Sequence, residues 1–435
     1  MGLFADTTPL RTPDFRRLWL AGVVTVIGAN LTIFAVPVQI YALTQNSAYV
    51  GLAGIFAFVP LVVFGLWGGA WADAMDRRTL LIVASLGLAA ASVLLWAQAA
   101  MAFNNVWLVL CLLALQQVFY AINAPARSAA IPRMLPSEQL AAANSLNMTV
   151  MQFGAIVGPL LAGVLLRWVD LSTLYLIDAA ACCAPIVATV RLSPMPPTAS
   201  GQFRWGLRAV VEGFRYLAGN SVVLMSFVVD LIAMILGMPR ALFPQIAHES
   251  FGGPVEGGTT MALLAAAMSA GAVAGGVFSG WLPRVRRQGL VVVGAIVVWG
   301  VAMVGFGVAS GIAGGTAGLV FWASLAFLAV GGAADMVSAA FRSTILQQAA
   351  SDDLRGRLQG VFIVVVAGGP RLGDAAHGAA AAAVGTTVAA AGGGALVVVA
   401  VLIAALNVPA FVRYRVGPVT SDVPIADNQP PRDKR

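Results

Sequence analysis

Charge is what this sequence lacks. Of 435 residues only 10% are Asp, Glu, Lys or Arg, against about a quarter in an ordinary soluble domain, so a water-soluble chain of this length could not cover its surface. A soluble enzyme is excluded on that ground. Lysine is nearly absent as well: 24 of the 25 basic residues are arginine, with Lys434 the exception. Cysteine occurs three times, at Cys111, Cys182 and Cys183, always inside an apolar stretch. Neither a disulfide framework nor a metal-ligand spacing follows, and no metal site is expected. No spaced Ser/His/Asp set and no Gly-x-x-x-x-Gly-Lys phosphate loop occurs, so enzyme chemistry, ATP hydrolysis and a bound cofactor are not expected. The net charge of +7 does not point to nucleic acid, because the arginines are scattered in small groups instead of forming one basic face.

What the chain has is apolar length. Sixty per cent of it, about 260 residues, is hydrophobic, and a bilayer-spanning helix uses about 20. Apolar runs fall at 18–41, 49–72, 79–102, 106–124, 145–166, 171–190, 221–243, 259–282, 289–309, 316–337, 358–384 and 388–411, which predicts twelve membrane helices. The 47 glycines, with abundant alanine, suit helices packed closely in lipid. The first run is too long for a signal peptide and reads as an uncleaved span. With the N-terminus inside, 22 of the 25 basic residues fall on the inner side, Arg167 and Arg240 fall in outer loops, and Arg371 lies within a span. That asymmetry predicts a multi-pass protein of the inner (plasma) membrane with both termini cytoplasmic. Its expected partners are the bilayer, a small-molecule substrate and protons, and a monomer is the expected functional unit.

The longest inner connection, 192–220, opens with Ser193-Pro194-Met195-Pro196-Pro197, which cannot continue a helix. Its later part, through Arg215, has the pattern of an amphipathic helix lying on the membrane surface. This linker separates a six-helix half, 1–191, from a second, 221–417, and 418–435 reads as a disordered tail. Three echoes support a duplication. Gly69-Ala70-Trp71-Ala72-Asp73 with Arg77-Arg78 corresponds to Gly280-Trp281-Leu282-Pro283-Arg284 with Arg286-Arg287, 211 residues later. Ala126-Arg127-Ser128 corresponds to Phe341-Arg342-Ser343, 215 residues later. Glu138-Gln139-Leu140 corresponds to Asp352-Asp353-Leu354. A duplicated six-helix unit places its binding site between the halves, near the midplane.

Gly69-x-x-x-Asp73-x-x-Asp76-Arg77-Arg78 resembles the loop signature between helices two and three of the major facilitator superfamily. It departs from that signature at Ala74, where a basic residue is usual, and at Asp76, where glycine is usual. The resemblance implies an inner gate whose arginines reach carboxylates or helix ends; a capped, positive-inside turn is the plainer reading. In the fifth run, Gly154-x-x-x-Gly158-Pro159-x-x-x-Gly163 is similar to the signature of the antiporter branches. Its glycines allow close helix contact and its proline bends the helix, whether or not that helix moves. Ala35-Val36-Pro37-Val38-Gln39-Ile40 and Leu354-Arg355-Gly356-Arg357-Leu358-Gln359-Gly360 resemble stretches of the enterobactin (siderophore) exporters and their macrolide-efflux-like relatives. That resemblance runs over nearly the whole chain. It implies an all-α integral membrane fold, two six-helix pseudo-repeats, and proton-driven export of a small amphipathic or aromatic molecule such as a siderophore or drug, by alternating access. An importer or facilitator of the same fold, and a receptor or scaffold without turnover, are the alternatives.

Ionisable residues inside spans are costly unless paired or wetted, which makes them functional candidates. They are Asp178, Asp230, Asp335, Arg371, Asp374 and His377. Arg371 falls about 20 Å into its helix, near mid-depth, with Asp374 and His377 following at three-residue steps on one face. An Arg371–Asp374 pair, in a helix interrupted by Gly368-Gly369-Pro370, is expected either to couple transport to protons or to hold helices together. His377 reads first as a packing residue, Asp335 as structural, Asp230 as evenly balanced between carrier and structure, and Asp178 as a local hydrogen-bonding group. Thr25, Asn30, Thr32 and Gln39 of the first run are candidate cavity residues, with bonding inside their own helix as the alternative.

Overall fold

The computed structural model describes residues 6–196, 215, 219–349 and 352–415; its side-chain description excludes 66, 68–70, 72–74, 283, 347–349 and 352–364. The amphipathic linker segment expected before Arg215 lies outside the described residues, as does the tail 418–435. Twelve long helical segments follow one another: α1 Pro13–Thr44, α2 Ser47–Ala74, α3 Arg77–Ala100, α4 Val106–Met134, α5 Leu140–Leu165, α6 Leu171–Val190, α7 Ser221–Ser250, α8 Thr259–Val277, α9 Gln288–Ile312, α10 Leu319–Ala349, α11 Asp352–Val384 and α12 Thr386–Asn407. Among the described residues, eleven are long and apolar enough to cross a membrane. The twelfth, α11, is 33 residues long and carries Arg371 and Asp374. Exposed side chains such as Ile33, Trp107, Val301 and Leu402 cover the outside of the bundle, a surface matched to lipid and mismatched to water.

Helix ends follow from local chemistry. Asn46, Asn105 and Asn220 cap α2, α4 and α7, each side chain accepting a backbone N–H of the first turn. Asp76 caps α3 by accepting from the Arg78 and Thr79 N–H groups. Two helices are broken inside the membrane region. In α6 the break falls at Cys182, three residues before Pro185. In α7 the α-helix ends at Gly237, because Pro239 has no N–H to continue the ladder. The chain resumes as a 3₁₀ turn at Arg240–Leu242 and finishes in a π-turn at Ile246–Ser250.

The two sets of six helices repeat one pattern of neighbours: α2–α4, α3–α4, α3–α6, α1–α5 and α1–α6 in the first, and α8–α10, α9–α10, α9–α12, α7–α11 and α7–α12 in the second. Between the sets, α2 packs on α11 and α5 on α8. Most arginines sit at one end of the bundle, and the contacts that tie the sets together gather toward the other. Arg167 donates to Thr259 at 3.0 Å, Ser47 to Gln245 at 2.5 Å and Tyr41 to Glu249 at 3.0 Å. Gly163 abuts Ala262 and Gly258, and Gly51 abuts Gly378. A side chain at Gly51 or Gly54 would meet α11 backbone, so glycine is what lets α2 and α11 cross in backbone contact.

Candidate functional site

The site is built on two arginine-centred groups of the second set and their contacts across the interface. The deeper group lies where α2, α4, α7 and α11 meet. Asp374 of α11 forms an ion pair with Arg240 of α7 at 3.2 Å. Arg371, one turn earlier on α11, donates to its own Ala367 carbonyl and to Gln117 Oε1 of α4 at 2.9 Å. Sequence reasoning paired Arg371 with Asp374 and placed Arg240 in an outer loop. The structure corrects both expectations: the break at Pro239 brings Arg240 within α7, where it takes the Asp374 carboxylate, and Arg371 turns toward α4 instead. His377, one turn further, is buried against Gly393 of α12 beside the Leu236 carbonyl, consistent with packing.

The second group lies toward the arginine-rich end. Arg342 of α10 forms an ion pair with Asp230 of α7, and its other terminal nitrogen stands 3.7 Å from Asp335. The arginine and Asp230 are buried, with side chains 10% and 6% exposed, whereas Asp335 is 30% exposed. Arg342 was counted among the inner-loop arginines; it is a buried helical residue, because α10 continues past the apolar run that marked it in sequence. Two carboxylates thus share one guanidinium. A charged set with one excess carboxylate is neutralised by a single proton, and like charges this close favour holding one.

The first set has the same arginine in a different setting. Arg127 of α4 donates to the Leu18 carbonyl of α1 at 3.3 Å and occupies the space left by Gly22. Its buried carboxylate is elsewhere: Asp178 of α6 accepts from Thr32 of α1 at 2.7 Å, Ser92 of α3 at 2.8 Å and Gln116 of α4 at 3.5 Å. The local role expected for Asp178 is therefore a hub joining four helices, with no cation among its hydrogen-bond partners. Gln39 pairs with Gln98 and accepts from Tyr175. These bonds correct the cavity assignment of Thr32 and Gln39, whose polar atoms are spent inside the first set. Thr25 and Asn30 bond the carbonyls of Ala21 and Val26, one turn back.

The two signatures take up structural positions. Gly154 and Gly158 of α5 pack against Val26 and Asn30 of α1, and Gly163 packs across the interface on α8. Pro159 lies buried within α5. In the loop signature, Arg77 donates to the Ala129 carbonyl and Arg78 to the Val190 carbonyl, tying α3 to the ends of α4 and α6. Asp76 also accepts from the Met195 N–H. The Gly69 and Asp73 backbone is helical in α2. Residues that sequence reasoning missed are Arg240, Gln117 and the glycines Gly51, Gly54 and Gly378. Proline after glycine in the seventh run was the available signal for the first.

Residues 4–419 match the model of the transmembrane secretion effector family, a branch of the major facilitator superfamily. The chain belongs to that family. It is 26% identical over 293 residues to macrolide efflux protein A of Streptococcus pyogenes, covering 66% of this chain and 71% of that one. It is 27% identical over 374 residues to the enterobactin exporter EntS of Citrobacter koseri, covering 84% and 85%. Among solved structures it is similar to the nucleoside transporter NupG (TM-score 0.72, 13% identity, 93% of this chain and 100% of that one). It also resembles a D-xylose-proton symporter (0.69, 12%, 90% and 96%). These likenesses bear out the all-α major facilitator fold, and the chain is a transporter, not an enzyme.

Proposed function

We propose that the chain is a secondary active exporter of a small amphipathic or aromatic molecule, exchanged for protons as two six-helix halves rock about the midplane. Taking the arginine-rich end as cytoplasmic, the cross-half contacts close the outer side and leave the shape inward-facing, ready to load from the cytoplasm. The observation that carries the proton reading is the Asp230–Arg342–Asp335 group. Asp374 has one guanidinium paired to it and a second one turn away on its own helix, so it is committed to that pair. Asp335 shares the Arg342 guanidinium with Asp230 and is the more exposed of the two carboxylates, so it is the one that takes and releases the proton. A proton on Asp335 ends the competition within α10 and leaves Arg342 to Asp230 alone, tightening the pairing of α10 with α7, the change that biases the two conformations. The export direction rests on the relatives, which are named as an efflux protein and an exporter.

The experiment is expression in an efflux-deficient bacterial strain challenged with a panel of fluorescent aromatic compounds, drugs and siderophores. Lowered accumulation of at least one compound, reversed by a proton ionophore and by Asp335→Asn, is expected. Raised accumulation would identify an importer, and unchanged efflux in Asp335→Asn would remove that residue from coupling.

A further inference from the structure

Charge at mid-depth does not balance. Two guanidiniums, Arg371 and Arg240, stand in this group with one carboxylate, Asp374, which is occupied by Arg240, itself 43% exposed. Arginine stays protonated in proteins, so protonation chemistry cannot remove the surplus. Among the described residues, the groups around Arg371 are the Gln117 amide and the Tyr120 phenol of α4, the Arg240 guanidinium of α7, the Gly54 backbone of α2 and, on its own helix, the Asp374 carboxylate. The one anion among them is already paired to Arg240. The guanidinium Nε is buried without a hydrogen-bond partner. Tyr120, one turn along α4 from Gln117, is 44% exposed, so its hydroxyl is not sealed in the packed core. Apolar surface adjoins the arginine: Phe58 of α2 lies on Gly368 and Met234 of α7 on Gly369.

An uncompensated guanidinium near the centre of a membrane protein is expensive, and its planar fork matches the two oxygens of an acid. We propose that Arg371, with Gln117 and Tyr120 across the interface, is the binding subsite for an acidic group, so the transported molecule is an organic anion: a carboxylate, sulfonate or phosphonate on an apolar or aromatic body. The acid accepts from Arg371 on one half and from the Gln117 amide and Tyr120 hydroxyl on the other, replacing the direct Arg371–Gln117 bond by a bridge through the substrate. A cationic amine of the same size meets only like charge there. This inference rests on the transport reading above and adds the charge of the cargo.

The test uses three probes that share a ring and differ in charge: 2-naphthoate, naphthalene-2-carboxamide and 2-naphthylmethylammonium, each titrated at up to millimolar concentration against the purified full-length protein in lipid nanodiscs, with empty nanodiscs subtracted. Binding is followed by intrinsic fluorescence. Naphthoate is expected to bind tightest, to weaken about tenfold or more in Arg371→Gln, and to recover substantially in Arg371→Lys, which keeps the charge. Thermal unfolding of each variant separates lost binding from lost fold. Preference for the ammonium probe, equal naphthoate binding by wild type and Arg371→Gln, or no naphthoate binding to folded wild type would overturn the proposal. The transport reading fails separately, in the accumulation assay, if no compound of any charge is moved.

Discussion

The two halves solve one packing problem with different chemistry. Each places an arginine at the same repeat position, Arg127 on α4 and Arg342 on α10, and each buries carboxylate. In the first half arginine and carboxylate are kept apart: Arg127 takes a backbone carbonyl of α1, while Asp178 is satisfied by hydroxyls and an amide. In the second half they are brought together, with Asp230 and Asp335 converging on Arg342. At the repeat offset of 215 residues, the position of Asp335 is filled in the first half by Tyr120, a phenol in place of a carboxylate. The Asp178 carboxylate is held by neutral donors alone, whereas in the second half two carboxylates compete for one guanidinium, so that a single proton redistributes the pairing. The first half is therefore read as the rigid partner and the second as the half that senses protons.

The largest expected effect comes from removing the shared cation. Arg342→Met leaves the buried Asp230 carboxylate without its cation and facing the part-buried Asp335, and a loss of about 3–5 kcal/mol is expected, measured as the fall in thermal or denaturant stability in detergent. Adding Asp230→Asn and Asp335→Asn should recover most of that loss. If the single variant is as stable as wild type, the charges do not hold α7 to α10 and the contrast fails. Next in size is the hub. Asp178→Ala strands the hydroxyls of Thr32 and Ser92 and should cost about 1–3 kcal/mol, while Asp178→Asn, which keeps an acceptor, should cost clearly less. Equal losses would mean that the charge of Asp178 matters, which would bring the first half closer to the second. The smallest effect is expected for Arg127→Met. Only one hydrogen bond to a backbone carbonyl is lost, and the apolar side chain fills the space beside Gly22, so about 1 kcal/mol is expected from the same measurement.

Much of this contrast was readable in the sequence, because it rests on features that a bilayer makes conspicuous. Twelve apolar runs, the repeat linking Arg127 to Arg342, and the short list of intramembrane charges all follow from the cost of exposing polar groups to lipid. Partner choice was not readable. Asp374 and Arg371 are neighbours on one helix face, yet a break in α7, 134 residues away in sequence, supplies Arg240 as the nearer cation. Thr32 and Gln39 have the composition of cavity residues, but their orientation is set by α3 and α6, which turn them inward. Arg342 looked like a loop arginine because an apolar run ends where charge begins, whereas the helix that carries it does not. Polar residues in membrane helices announce that a partner exists; which partner depends on rotations of helices that hydropathy does not encode.

The most direct test of the account is whether the second half alone senses protons, and it needs no knowledge of the substrate. Spin labels at Trp168→Cys and Glu256→Cys, exposed residues on opposite halves at the closed end, in a background without Cys111, Cys182 and Cys183, report opening of that end by electron–electron distance measurement in nanodiscs. The account predicts that the distance distribution shifts between acid and neutral pH in this background and with Asp178→Asn, and that Asp335→Asn makes it independent of pH. A pH response that survives Asp335→Asn and disappears with Asp178→Asn would contradict it.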